Sequence, residues 1–87
     1  MTDETIFEEL RHLCAAILHT DPTTITLETD LYADLEADSL DLTEVIVASE
    51  QHFGTVLDPV GAQPRTVAEA VRLVRTALDR SNAVPTA

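Results

Sequence analysis

A single serine, Ser39, stands among acids and leucines in residues 34–42, which read Asp-Leu-Glu-Ala-Asp-Ser-Leu-Asp-Leu. The residues that follow have helical spacing, so its hydroxyl is expected at the first turn of a helix. Serine in that position is most often only a cap, but Asp38 already supplies the capping oxygen. A serine hydroxyl also needs an adjacent base to act as a nucleophile, and none is evident here. The pattern therefore favours a side chain that another protein modifies over a catalytic serine.

Other chemistries fit these residues less well. A Ser-His-Asp triad would need a strained turn such as G-x-S-x-G, which the chain lacks. The three histidines are scattered without metal-ligand spacing. Read from Asp30 as a calcium loop, the sixth position is Leu35 instead of Gly and the twelfth is Asp41 instead of Glu. We therefore expect no enzyme activity and no metal site.

The net charge of −11 comes from 16 acids against five arginines. Nine of the acids lie between Glu28 and Asp58, a stretch without Lys or Arg. Such a field repels nucleic acid and anionic membranes and favours partners with basic patches. A lone cysteine, Cys14, excludes an internal disulfide and is expected to be a buried small hydrophobe. With no transmembrane run or signal peptide evident, we expect a cytoplasmic protein that is monomeric.

Helical spacing of apolar residues predicts three good helices. The first covers Ile6–Leu18, the second Ser39–Phe53 with Gly54 as its C-cap, and the last opens at a Thr66–Glu69 capping box. A long loop, residues 21–38, is anchored by Ile25, Leu27, Leu31 and Leu35, and residues 55–65 have room for one helical turn. The predicted fold is all-α: a small four-helix bundle with a short third helix and a long loop between helices I and II. Residues 1–80 form the domain, and residues 81–87 a disordered tail.

These residues resemble the acyl carrier proteins over nearly the whole chain, from Ile6 to Leu78. The family pattern is an acidic-apolar lead, Asp-Ser-Leu at residues 38–40, a helix ending Phe-Gly at residues 53–54, and a last helix opening Thr-Val at residues 66–67. The resemblance implies that Ser39 carries 4′-phosphopantetheine, transferred from coenzyme A by a separate Mg-dependent phosphopantetheinyl transferase. The thiol of that arm would hold acyl groups as thioesters, while acyltransferase-, ketosynthase-type or other partner enzymes do the chemistry.

The resemblance also implies two sets of site residues. The partner docking face would consist of Asp38, Leu40, Asp41, Glu44, Val47 and Glu50. A cavity that shelters the acyl chain would be lined by Leu42, Val45, Ile46, Ser49, Val71 and Val74. An acidic rim around a few exposed apolar residues is a usable transient interface.

The chain departs from the family pattern at two positions and in one segment, the link of residues 58–65, which is less acidic and richer in Pro and Gly than usual. Glu36 stands where the family commonly has Gly, so the turn before the serine is expected to differ. Ser49 occupies an inward position that is commonly a larger apolar residue, which favours a polyketide-type cargo over a simple fatty chain. We therefore expect a stand-alone carrier of a dissociated polyketide or fatty-acid system. The alternatives are an aminoacyl or peptidyl carrier, and an unmodified acidic helical adaptor or nucleic-acid mimic.

Overall fold

The computed structural model describes residues 1–57 and 63–83, with side chains as far as residue 80. Within these residues the chain forms three α-helices: α1 (Asp3–Leu18), α2 (Ser39–Phe53) and α3 (Val67–Ala83), with a 3-10 turn at Pro22–Thr24. The protein is all-α, as predicted. The predicted short helix falls mainly on residues 58–62, which lie outside the described residues.

Helix α1 begins three residues earlier than predicted because Thr2 caps it. The Thr2 hydroxyl accepts a hydrogen bond from the Thr5 amide at 3.2 Å, and Asp3 and Glu4 place negative charge in the first turn. The helix ends at His19, whose φ of 55° is left-handed. This conformation lets the following amide, at Thr20, donate back to the carbonyl of Ala15 at 3.0 Å.

Helix α3 opens where predicted, with a modified capping box. The Thr66 hydroxyl accepts from the Glu69 amide at 3.2 Å, and the Glu69 carboxylate accepts from the amide of Arg65 at 2.8 Å. The helix continues to Ala83, three residues past the predicted domain boundary at residue 80. Residues 84–87 of the predicted tail lie outside the described residues.

The core is filled by side chains from all three helices and the long loop. In α1 and the loop the buried side chains include Ile6, Leu10, Cys14, Ile25 and Leu31, and in α2 and α3 they include Leu42, Val45, Val67, Val74 and Ala77. One predicted loop anchor is wrong: Leu27 is 42% exposed. Its neighbours Ile25 and Leu31 are each 1% exposed and provide the anchoring.

The long loop is attached to the start of α3 by backbone hydrogen bonds. The Leu31 amide donates to the Arg65 carbonyl at 2.8 Å, and the Val67 amide donates to the Thr29 carbonyl at 3.1 Å. The Arg65 guanidinium also pairs with the Asp30 carboxylate at 2.8 Å. The loop is therefore a fixed part of the bundle, and it holds the chain leading into α2 against the core.

Candidate functional site: the start of helix α2

Asp38 and Asp41 form a reciprocal capping box at the N-terminus of α2. The Asp38 carboxylate accepts from the Asp41 amide at 2.8 Å, and the Asp41 carboxylate accepts from the Asp38 amide at 3.2 Å. Asp38 is thus the N-cap, as predicted, while the part played by Asp41 was not foreseen. The signal was present in the sequence, because an acid three residues after an N-cap can return the hydrogen bond.

Ser39 is the first residue of α2, and its side chain is exposed. Its hydroxyl has no hydrogen-bond partner among the described residues, while its backbone carbonyl accepts a second bond from the Thr43 hydroxyl at 2.9 Å. Each neighbouring carboxylate bonds a backbone amide through one oxygen, and neither forms a hydrogen bond with this hydroxyl. The site presents an accessible, unactivated hydroxyl at the positive end of a helix dipole.

The turn before the capping box contains a left-handed residue that has a side chain. Glu36 has a φ of 56°, a region that favours glycine. The next residue, Ala37, is buried, and its amide donates to the Leu31 carbonyl at 3.0 Å. This bond closes a turn of seven residues, 31–37, one residue wider than the corresponding bond of the Schellman motif at helix ends. The turn therefore keeps the backbone that glycine would adopt, although Glu occupies the position.

The predicted docking residues divide into two groups. Leu40 is 67% exposed and Val47 is 45% exposed, and Glu44 lies exposed between them on the same side of α2. Asp38 and Asp41 lie beside this stripe but are engaged in the capping box. Glu50 is half-buried, and its carboxylate accepts from the Leu57 amide at 2.9 Å, so it anchors the segment that follows α2.

The predicted cavity residues also divide. Five of them line a small apolar cavity between α2 and α3: Leu42, Val45, Ile46, Ser49 and Val74. Its volume is about 20 Å³, room for about one water molecule. Val71 does not line it; this side chain lies in a separate groove of about 430 Å³ between α1 and α3, beside Phe7 and Arg72. The sequence pattern missed Leu10 and Leu73 as lining residues.

Two other side chains, those of Cys14 and His52, have structural roles. Cys14 is 1% exposed in the core, and burial raises the pKa of its thiol to about 11. His52, near the end of α2, pairs with Glu9 of α1, a contact that sequence spacing did not predict. This pair joins α1 to the C-terminal end of α2, the end opposite to Ser39.

Comparison with known proteins assigns this arrangement to a class. Residues 8–74 match the sequence model of the family described as "Phosphopantetheine attachment site". Acyl carrier proteins are similar along most of their length. The protein from Lactobacillus acidophilus is 35% identical over 77 residues, covering 87% of this chain and 96% of that protein. Those from Petrotoga mobilis (34% identical, 91% and 94% covered) and Rubrobacter xylanophilus (39%, 85% and 93%) agree.

The chain is therefore a phosphopantetheine-binding carrier domain. Within that class it belongs to the acyl carrier protein family. Its cofactor is a covalently attached 4′-phosphopantetheine, and it carries acyl groups for other enzymes without catalysing a reaction. In keeping with family membership, it interacts with a phosphopantetheinyl transferase and with acyl-processing enzymes. None of the helices in the described residues has the length and apolar character needed to cross a membrane.

Proposed function

We propose that Ser39 is the residue that carries the phosphopantetheine arm. The observation that supports this is its exposed hydroxyl at the first position of α2, inside the capping box of Asp38 and Asp41. Attachment forms a bond between the serine oxygen and the phosphorus of coenzyme A that bears the pantetheine. It breaks the pyrophosphate bond, and 3′-phosphoadenosine 5′-phosphate leaves. The hydroxyl proton is proposed to go to a base of the transferase, because neither adjacent carboxylate forms a hydrogen bond with this hydroxyl; each bonds a backbone amide instead.

Intact mass spectrometry tests this assignment. The purified chain is incubated with coenzyme A, Mg²⁺ and a promiscuous phosphopantetheinyl transferase, and we expect the added mass of one phosphopantetheine group. Ser39→Ala should stay unmodified, while Ser49→Ala, which removes a buried serine of the same helix, should be modified normally. An unmodified wild type would support the alternative of an unmodified acidic adaptor. Modification of Ser39→Ala would place the arm elsewhere.

The exposed stripe of Leu40, Glu44 and Val47 is proposed as the core of the docking face. Its apolar side chains can enter a shallow pocket on a partner, and the surrounding acids steer basic partners towards Ser39. Docking of this kind is weak and fast, which suits a carrier that visits several enzymes in turn. Asp38, Asp41 and Glu50 contribute charge to the same field while supporting the ends of the helix.

Charge reversal on this stripe tests the proposal. Glu44→Lys should lower the kcat/KM of the transferase severalfold, and added salt should reduce the difference from wild type. Glu28→Lys, the same charge change on the exposed loop, is the matched control and should have a smaller effect. Equal losses in both variants would show that net charge, and not this stripe, guides the partner.

The cargo is proposed to be an acyl intermediate of a dissociated polyketide-type or fatty-acid pathway, held by a monomeric carrier in the cytoplasm. The polyketide hypothesis is supported by Ser49, whose hydroxyl lies in the wall of the cavity that would receive the chain. The cavity is small, so a bound chain would have to move α3 away from α2 to enter it. Gel filtration with light scattering checks the monomer, and mass spectrometry of the loaded protein from its natural host identifies the chain.

A further inference from the structure

Ser49 is a polar residue in an otherwise apolar wall. It is 1% exposed, and every other residue that lines the cavity between α2 and α3 has an apolar side chain. The other residues of α2 that line this cavity are Leu42, Val45 and Ile46. A hydroxyl in such a place costs free energy unless its hydrogen-bonding groups have partners.

The hydroxyl of Ser49 has a partner for its donor but none for its acceptor lone pairs among the described residues. The hydroxyl donates its hydrogen to the Val45 carbonyl at 2.7 Å, one helical turn earlier. A serine hydroxyl also has two acceptor lone pairs, and no donor in the described residues faces them. A water molecule is held in a cavity by two to four polar partners, and among the lining side chains only Ser49 offers an oxygen. Ser49 therefore presents an unused acceptor to whatever enters the cavity.

We infer that Ser49 is a specificity-determining residue that selects an acyl chain carrying a hydroxyl group over a fully reduced chain. This inference rests on the proposed function, in which the chain is attached through Ser39. A hydroxyl on the chain can donate to the free lone pair of Ser49 while the bond to Val45 stays intact. A keto oxygen has no hydrogen to donate, so it could bond to Ser49 only by displacing the bond to Val45.

The position of Ser49 along α2 fits this role. It lies ten residues after Ser39, which corresponds to about 15 Å along the helix axis at 1.5 Å per residue. The side chains of Leu42, Val45 and Ile46 line the cavity between these two points. A chain inserted from the attachment end therefore passes apolar side chains first and meets the hydroxyl deeper in the protein. A hydroxyl on the chain would be buried there. Its entry is favourable only if the hydroxyl forms a hydrogen bond in the cavity, because an unpaired buried donor costs free energy.

The test compares matched chains on the same protein. The carrier is loaded at Ser39 from octanoyl-, 3-hydroxyoctanoyl-, 5-hydroxyoctanoyl- and 3-oxooctanoyl-coenzyme A, and each product is verified by intact mass. The melting temperature of each loaded form is then measured at neutral pH. With Ser49 present, we expect at least one hydroxyoctanoyl form to melt about 4–8 °C above the octanoyl form, the shift that one additional buried hydrogen bond gives in a domain of this size.

The variants isolate the oxygen of Ser49. Ser49→Ala should lose the advantage of the hydroxylated chain, whatever its own melting temperature. Thr43→Val removes a hydroxyl that also donates one turn back, but from the exposed side of α2, and should keep the advantage. Equal melting temperatures for octanoyl and both hydroxyoctanoyl forms would overturn the inference, as would an advantage confined to the 3-oxo chain. Failure of all four chains to load would instead overturn the proposed attachment at Ser39, and with it this inference.

Discussion

Replacement of Glu36 by glycine should stabilise the protein, because the turn before α2 holds this residue at a φ of 56°. A left-handed backbone costs a residue with a Cβ roughly 1–2 kcal/mol. Glycine removes that cost, but its greater conformational entropy in the unfolded chain reduces the gain in stability by about 0.4–1 kcal/mol. The expected net gain is about 0.5–1 kcal/mol, or about 2–8 °C in melting temperature for a domain of this size.

The comparison that isolates the backbone is Glu36→Gly against Glu36→Ala. Both variants remove the same charge, so repulsion within the acidic field changes equally and only the backbone cost differs. Urea unfolding followed by circular dichroism gives the two free energies of unfolding. Gly54 supplies the reverse measurement: it has a φ of 66°, and a Cβ there would meet nothing within 4 Å. Gly54→Ala should therefore lose about 0.5–1 kcal/mol through the backbone alone, by the same arithmetic.

A Glu36→Ala variant as stable as Glu36→Gly would refute this reasoning. It would mean that the turn relaxes without its left-handed residue, and that the bond from the Ala37 amide to the Leu31 carbonyl does not hold it. Loss of stability in Gly54→Ala alongside that result would show that the assay detects the backbone cost and that the turn before α2 is the exception.

Three further predictions concern the cap of α2, the loop before it and the core. Asp38→Ala should lose about 1 kcal/mol in urea unfolding as the capping box is lost, and an unchanged midpoint would contradict the cap. The Asp30 carboxylate accepts hydrogen bonds from the Ala33 amide and from the Arg65 guanidinium, and these lower its pKa. The stabilisation by Asp30 is therefore present above the unfolded pKa near 3.9 and lost as pH falls through the lower folded value. Asp30→Asn should therefore be less stable than wild type at pH 7, with the gap closing below about pH 4; a constant gap would contradict this. Burial raises the pKa of Cys14 to about 11, so alkylation at pH 8 should be slow until the protein is unfolded, and rapid native labelling would contradict the burial.

The bounds of α2 could be predicted from the sequence because the signals that set them are local. Asp38 caps the first turn with its own side chain, and Gly54 takes the left-handed conformation that ends the helix. The same is true of the exposed position of Ser39, which follows directly from its place beside the N-cap. The assignment to the acyl carrier family also depends on local motifs, since Asp-Ser-Leu and Phe-Gly lie at the two ends of this one helix.

Contacts between residues far apart in the sequence could not be predicted from local sequence signals. The bonds from the long loop to Arg65 and Val67 join residues more than thirty positions apart, and no pairing pattern in the sequence marks them. The role of Glu50 is a further case, because its helical position suggested a docking acid while its carboxylate accepts from the Leu57 amide. Such pairings depend on where the fold brings a backbone amide, which residue type alone does not reveal.

Sequence alone determined the helices and the exposed serine, since hydrophobic period, capping residues and turn residues act over a few positions. Tertiary structure decided which neighbour each inward side chain meets. Helix α3 packs against both α1 and α2, so its apolar face contains two stripes: Val74 lines the small cavity, while Val71, less than one turn away, lines the groove beside Phe7. Helical period separates buried from exposed positions, but only the packing angle of neighbouring helices divides the buried positions between two interfaces.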